Sequence, residues 1–165
     1  MRNEKEIEKE LEQVKEQISN EFRKENTKER NGEIANYDLF HKLCRKEDEL
    51  KKELQISKNY NVKVGDGVTI HYYSDAHAGT VIARTKTTLT IQQDKATLKD
   101  GWKPEIVSGG FVGHCVNQDS QEYDYERDEN GRIYKAHWSN VKGRFIADGC
   151  LSISNGRDEY YDYNF

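Results

Sequence analysis

The pattern of this sequence changes near residue 60, and that change limits which structures the chain can form. Residues 1–58 are highly charged, repeat their apolar positions with helical spacing, and contain one Gly and no Pro. Residues 61–165 hold eleven of the twelve Gly, the only Pro, both Trp and eight of the ten Tyr, in short alternating runs. We therefore predict an α+β protein with two domains, a helical hairpin over 1–58 followed by a small β domain over 61–165.

Two apolar stripes in the first half predict two helices. Asn31-Gly32 should end the first helix, because Gly readily adopts the left-handed conformation found at helix C-termini. Asn36 is the expected N-cap of the second, with Asp38 in its first turn, and Glu47 interrupts the second stripe. The stripes consist of Ile7, Leu11, Val14, Ile18 and Phe22, and of Tyr37, Phe40, Leu43, Leu50 and Leu54.

Neither stripe can be buried by its own helix, so each helix needs a partner. Two helices joined by a short loop pair most simply as an antiparallel hairpin. The alternative is a coiled coil between copies of the chain, and the two arrangements can coexist. We expect a homo-oligomer that assembles through the hairpin.

The second half has the strand spacing of a small SH3-like β-barrel. Residues 61–64 and 68–73 are predicted as strands on either side of a tight turn, and strands at 80–84 and 89–93 follow. Alternation predicts one buried face. That face consists of Val68, Ile70, Val81, Leu89 and Ile91.

The rest of the β domain is predicted to contain one long loop and two hairpins. Residues 95–121, broken by Pro104 and several Gly, are predicted as a long connection, and loops of that length are often functional. Strands at 123–128 and 133–138 should form a hairpin, in which Asn130-Gly131 takes two positive φ angles. A final strand pair is expected at 143–147 and 150–153, and the aromatic tail 160–165 should dock on the domain.

Charge and cysteine content exclude several function classes. The chain carries 26 basic and 30 acidic residues, and neither half is basic, which disfavours non-specific duplex binding. No apolar run is long enough for a transmembrane helix, and the first residues have no secretory signal, so we expect no membrane partner. The three scattered cysteines, Cys44, Cys115 and Cys150, are no disulfide framework, which indicates a reducing cytosol.

No pattern of residues predicts catalysis, a metal site or a cofactor. His77, His114 and Cys115 are zinc ligands by type, but their spacing matches no zinc pattern. Cys115 with His114 or His137 is a formal nucleophile and base, yet neighbours on a strand face opposite sides. The glycines of 109–113 lack the Gly-Lys-Ser/Thr ending of a phosphate loop. We predict a protein that is not an enzyme.

A set of aromatic and basic residues is the strongest candidate for a binding site. On a small barrel, exposed rings and arginines can stack a base and hold its phosphate, and the same residue types dominate protein-binding hot spots. They also suit an ordinary barrel whose tyrosines cover apolar edges and whose arginines pair with carboxylates. The set is Tyr72, Tyr73, Arg84, Tyr123, Tyr125, Arg127, Arg132 and Trp138.

Several different short motifs are spread through the β domain. The longest are Val-Gly-Asp-Gly-Val-Thr at 64–69 and Tyr-Asp-Tyr-Asn-Phe at 161–165, and the others lie at 73–75, 80–82, 93–96, 125–128 and 130–132. Together they resemble a group of small uncharacterised proteins found in bacteriophage and prophage genomes. The resemblance covers 61–165 and not the helices, departs around 102–115, and carries over no functional residue. It implies the context of a phage accessory protein that interferes with host machinery, including immune systems.

These observations predict a non-enzymatic, phage-type accessory binding protein. We expect a counter-defence inhibitor that acts on a host protein complex in the host cytoplasm. The alternative is a barrel that binds a nucleotide or nucleic acid, for example to sequester a signalling nucleotide. A third hypothesis is an enzyme that uses Cys115 or a pair of carboxylates.

Overall fold

The computed structural model describes residues 2–109 and 112–164, and in them two helices precede a closed antiparallel β-barrel. This confirms the predicted α+β class, a helical hairpin followed by a small SH3-like barrel. The helices are α1 (Glu4–Arg30) and α2 (Asp38–Tyr60), and the chain divides into two compact units between Lys58 and Asn59. Neither described helix has the apolar length that crossing a membrane requires.

One apolar seam joins α1 and α2 in the first unit. Ile7, Leu11 and Val14 of α1 are buried against Leu50 of α2, and Leu54 packs beside them. Burying these side chains is the main stabilising term for two helices that are otherwise polar. Ion pairs between the two arms flank the seam: Lys46–Glu10 at 2.7 Å, Arg2–Glu53 at 3.0 Å and Lys58–Glu8 at 3.4 Å.

A buried carboxylate, Glu25, organises the turn of the hairpin. One of its oxygens accepts a hydrogen bond from Lys28 at 2.7 Å, and the other accepts one from the backbone N–H of Asn36 at 2.6 Å. The Asn36 side chain in turn accepts from the N–H of Asp38 at 2.9 Å, as predicted for the start of α2. The φ of +76° at Gly32 ends α1, also as predicted.

Ten strands follow, of which six form the barrel in the order β1-β10-β9-β8-β3-β2. Every pair in the barrel is antiparallel. The strands are β1 (Gly67–His71), β2 (Ala76–Arg84), β3 (Thr88–Gln93), β4 (Lys95–Leu98), β5 (Ile106–Gly109), β6 (Val112–Cys115), β7 (Tyr123–Glu126), β8 (Ile133–Ser139), β9 (Arg144–Ala147) and β10 (Leu151–Asn155).

The inward-facing side chains of the six strands form the core of the second unit. All five residues of the predicted buried face are buried, and Tyr134 and Phe145 are the largest side chains beside them. Val62 joins this core although residues 61–64 form no strand, so that prediction is wrong. The reason is a turn, in which Lys63 and Asp66 exchange hydrogen bonds of 2.7 and 3.1 Å.

The residues between β3 and β8 form two short ribbons, so the prediction of one long connection over 95–121 is wrong. Strand β4 pairs with β7, and β5 pairs with β6. A 3-10 turn at Gln118–Ser120 lies between the ribbons. This insert leaves and re-enters the barrel at neighbouring points, because the N–H of Gln93 donates to the carbonyl of Arg132 at 2.9 Å.

The predicted Asn130-Gly131 hairpin is also wrong, because β7 pairs with β4 and β8 pairs with β3 and β9. Neither Asn130 nor Gly131 has a positive φ. Gly131 is needed for a different reason, since a Cβ there would overlap the carbonyl oxygen of Gln93. The turn with two positive φ angles lies at Asp148 (+48°) and Gly149 (+79°), between β9 and β10, the predicted final pair.

The segment after β10 packs back on the barrel, as predicted for the part of 160–165 that the structure describes. Tyr160 and Ala76 exchange backbone hydrogen bonds of 2.9 and 3.0 Å. Arg157 donates to Asp94 and to Thr80, both at 2.7 Å. Phe165 lies outside the described residues.

Candidate functional site

The eight predicted binding residues fall into separate contact groups of the second unit. Tyr72 and Arg132 touch each other, while Arg84 and Trp138 both contact Tyr60. Tyr123, Tyr125 and Arg127 lie on or directly after β7, and Tyr73 is 92% exposed. The set is therefore distributed over several places in the β unit.

Tyr72 and Arg132 belong to a hydrogen-bonded chain at one end of the barrel. Arg132 donates to the Tyr72 hydroxyl at 3.4 Å, the Tyr72 and Tyr134 hydroxyls lie 2.9 Å apart, and Tyr134 donates to Gln93 at 3.0 Å. Arg132 also lies 4.8 Å above the Tyr134 ring and pairs with Asp148 at 2.9 Å. Burial raises the pKa of Tyr134 far above its usual value. The Tyr134 phenol therefore stays neutral, and the charge of Arg132 is already offset by Asp148.

Arg84 and Trp138 stabilise the segment that enters the barrel. The Arg84 guanidinium donates to the carbonyl of Tyr60 at 2.7 Å and to that of Val62. Trp138 packs edge to face on Tyr60 and on Phe145, at 4.8 and 5.0 Å between ring centroids. Because these contacts occupy the guanidinium and the indole, both side chains serve the fold here.

The tyrosines of β7 are partly buried. The Tyr123 hydroxyl donates to Gln121 at 2.7 Å, and burial raises the pKa of Tyr123 to about 12. Burial also raises the pKa of Tyr125. Arg127 is the exposed member of this group, directly after β7. A phosphate would meet one cation here and two neutral phenols.

The histidine and cysteine candidates lie apart as well. His77 Nδ1 is 2.8 Å from Glu159, whose other oxygen accepts from the N–H of Ala78 at 2.7 Å. Cys115 is buried while its neighbour His114 is exposed, since the two face opposite sides of β6. Across the residues that the structure describes, no three His, Cys, Asp or Glu side chains are grouped as metal ligands.

An exposed apolar surface belongs to a feature that the sequence analysis missed, the β5–β6 ribbon. Strand register places Val107 opposite His114 and Glu105 beside Val116, all on one face, which we call the ribbon face. Val107 and Val116 are 47% and 54% exposed there. Gly110 and Phe111 of the glycine run lie outside the described residues.

Two asparagines hold the base of the ribbon in place. The Asn164 side chain accepts from the N–H of Cys115 at 2.7 Å and donates to its carbonyl at 3.1 Å. Asn117 accepts from the N–H of Glu105 and donates to the carbonyl of Lys103, both at 2.9 Å. Such fixed backbone contacts give an exposed apolar face a defined position, which a binding surface needs.

The first unit has its own exposed apolar surface, beyond the buried seam and toward the turn between the helices. Phe22 and Leu39 are 46% and 49% exposed, and the Phe22 ring packs 5.6 Å from that of Phe40. A groove of about 380 Å³ beside them is lined by Leu39 and Leu43. We call this surface the hairpin patch.

Comparisons with known proteins give the chain no family. No protein-family model matches it, and neither the curated proteins nor the solved structures include a match. The geometry of the two exposed apolar surfaces and of the barrel therefore carries the functional inference.

Proposed function

We propose that this protein is a non-enzymatic accessory protein of phage type that binds a host protein complex. The ribbon face is the proposed contact surface. The observation that carries this proposal is the exposure of Val107 and Val116 on a ribbon whose base is fixed by Asn117 and Asn164. In a chain with a mean hydropathy of −1.05, exposed β-branched side chains on a fixed element favour a protein partner.

A two-stranded ribbon also offers a partner its backbone. Strands β5 and β6 pair with each other, and within the described residues neither pairs with a further strand. Asn164 already bonds both backbone groups of Cys115 on β6, so the outer N–H and C=O groups of β5 are the ones that can pair with a strand of another protein. Apolar side chains and main-chain hydrogen bonds would then act together in recognition.

The resemblance to phage and prophage proteins supports the biological part of the proposal. It favours a role in the host cytoplasm and interference with a host complex, such as a defence system. Nucleotide capture by the eight-residue set is the alternative. It has less support, because Tyr72, Arg84 and Arg132 are engaged in contacts inside the barrel unit.

Self-association through the hairpin patch is part of the proposal. Phe22 and Leu39 are exposed, and Leu39 and Leu43 line a groove together with Gln17, Asn20 and Glu21, so a second hairpin can cover them as in a four-helix bundle. An oligomer would present several ribbon faces at once and increase avidity for a multi-subunit partner. Sedimentation of the wild type and of Leu39→Glu tests this, with a smaller species expected for the variant.

Affinity capture with matched variants tests the ribbon face. We expect the tagged wild type to recover a stoichiometric partner from host lysate. The double variant Val107→Asp, Val116→Asp should recover about tenfold less of that partner, because an apolar contact would desolvate the two introduced carboxylates. Val141→Asp is the control, since Val141 is 97% exposed in the β8–β9 turn. Undiminished capture by the double variant, or capture of no partner from several hosts, would contradict the proposal.

A further inference from the structure

Charge is segregated within the second unit. The six barrel strands, all of whose residues the structure describes, contain no Asp or Glu. Every carboxylate side chain of residues 61–165 lies in the turns, the insert or the tail. Carboxylates of the tail face β1 and β2, where Glu159 pairs with His77 and Asp158 acts on His71. The basic part of the barrel surface is therefore the outer face of β8 and β9, with Lys135, His137 and Arg144.

The basic groups converge on a groove across β8 and β9. Lys135 and His137 alternate with buried residues along β8 and are exposed on its outer face. Ile146 of β9 is the register partner of His137, and Lys142 lies in the turn between the strands. These residues, with Ser139, line an open groove of about 400 Å³.

The cations of the groove are available to a ligand. Among the described residues, neither Lys135 nor Lys142 makes an ion pair. The carboxylate at the rim, Asp148, is paired with Arg132 at 2.9 Å, which offsets its charge. The ammonium groups of Lys135 and Lys142 therefore face solvent without a paired carboxylate. The His137 imidazole and the Ser139 hydroxyl line the same groove.

A further cation, Arg144, lies on β9 close to the groove. Arg144 is exposed on the outer face of β9, one residue from the turn that holds Lys142. Burial, and then the positive charge of Arg144, lower the pKa of His71 on β1. Because Asp158 acts on His71 in the opposite sense, the cationic surface is that of β8, β9 and the turn between them.

We propose that the β8–β9 groove binds the phosphate groups of a nucleotide or a single-stranded nucleic acid. Lys and His donate well to phosphate oxygens, and a row of cations on adjacent strands matches a row of phosphates. The Trp138 ring packs against Tyr60 and Phe145, so it offers a ligand little stacking surface. Recognition through phosphates alone carries little base preference. This site is separate from the ribbon face and does not depend on it.

Fluorescence anisotropy with a labelled ten-nucleotide oligo-dT tests the groove. At 50 mM salt, we expect Lys135→Glu combined with Lys142→Glu to raise Kd at least about tenfold and to reduce the salt slope by about 1.4, or roughly 0.7 for each phosphate contact. Lys95→Glu is the control, because Lys95 is an exposed lysine on β4, outside the groove. Its Kd should stay within about twofold of the wild type.

Competition distinguishes the sources of the phosphate. Displacement of the oligonucleotide by ATP or pyrophosphate supports a free nucleotide ligand, while displacement by unlabelled oligo-dT alone supports a polymer. Equal affinity of wild type and double variant would overturn the proposal. So would the absence of binding of every probe at 50 mM salt. Because Lys135 and Lys142 are exposed, both variants should keep the wild-type melting temperature, which excludes unfolding as the cause of a loss.

Discussion

The side chain of Asn164 binds both backbone groups of Cys115, accepting from its N–H at 2.7 Å and donating to its carbonyl at 3.1 Å. The Asn164 amide, 49 residues away in sequence, thus makes the two backbone hydrogen bonds that a neighbouring strand would otherwise make with Cys115. This contact satisfies the backbone of a buried cysteine and holds the base of the β5–β6 ribbon.

Asn164→Ala removes both of these hydrogen bonds. We expect a loss of about 1–3 kcal/mol in the free energy of unfolding, because a partly buried N–H and C=O are left unsatisfied. The ribbon should also exchange its amide hydrogens faster. Urea denaturation and hydrogen exchange measure the two effects, with Asn130→Ala at an exposed turn as the control. Wild-type exchange in β6 of the Asn164 variant would show that this contact does not hold the ribbon.

The stability of the β unit should depend on the protonation of His77. The hydrogen bond to Glu159 at 2.8 Å raises the pKa of His77. A group whose pKa is raised by folding contributes stability that is present below its unfolded pKa, near 6.5, and is lost as pH rises through the folded value. We expect the wild type to lose stability over that range.

His77→Asn keeps a hydrogen-bond donor near Glu159 but cannot titrate. Its free energy of unfolding, measured by urea denaturation between pH 5.5 and 8.5, should lack the part of the decline that His77 contributes. Burial lowers the pKa of His71, so that histidine acts in the opposite sense and destabilises the fold at acidic pH. Identical pH profiles for wild type and His77→Asn would contradict the role assigned to His77.

Asp94 is the acceptor of a buried polar cluster. Its carboxylate takes hydrogen bonds from Arg157 at 2.7 Å and from Thr80 at 2.7 and 2.9 Å. Asp94→Asn leaves the guanidinium without its counter-charge, so we expect a loss of about 3 kcal/mol by urea denaturation. Glu122→Gln, which breaks the exposed pair with Lys99, should cost less than about 1 kcal/mol. Similar losses for the two variants would mean that burial adds nothing to the Asp94 contact.

Alanine substitutions at Gly131 and Gly101 distinguish the cost of a steric overlap from the cost of an unfavourable backbone conformation. A methyl group at Gly131 would overlap the carbonyl oxygen of Gln93, whereas at Gly101 it meets no atom within 4 Å, and only the φ of +95° is unfavourable. We expect Gly131→Ala to cost about 2–4 kcal/mol and Gly101→Ala about 1 kcal/mol in urea denaturation. The reverse order would show that backbone conformation matters more than contact at these glycines.

Local patterns predicted the elements whose partners are close in sequence. The helix ends at Asn36 and Gly32 depend on hydrogen bonds within a few residues, and the buried alternation of β1, β2 and β3 follows from the pleat of each strand. The β9–β10 pair is predictable for the same reason, since a connection of three residues, 148–150, leaves few alternatives.

Long-range pairing explains the errors. Asn130-Gly131 is a strong local turn signal, yet the partner of β7 is β4, which lies across the insert. The Pro and Gly residues of 95–121 predict a loop, although strands β4, β5 and β6 lie within that range. The β-branched pair Ile106-Val107 on one side of the glycine run, with Val112 and Val116 on the other, was the available signal for a ribbon.

The roles of the predicted binding residues could not be assigned from sequence, because local sequence does not show whether an Arg or Tyr side chain is free for a ligand or bonded within the fold. Arg84 donates to two backbone carbonyls, and that geometry depends on where residues 60–62 pass the barrel. The groove residues Lys135 and Lys142 come together only when β8 and β9 pair.

The hydrogen bond between Gln93 and Arg132 joins the two points at which the insert leaves and re-enters the barrel, so the two ends of the insert are adjacent. Because the entropy of closing a loop grows only slowly with its length, the sequence above this junction can lengthen, shorten or be exchanged at small cost to the barrel. The barrel is thus a frame whose strand pairing does not depend on the insert, so the two parts of this unit can vary independently in length and sequence.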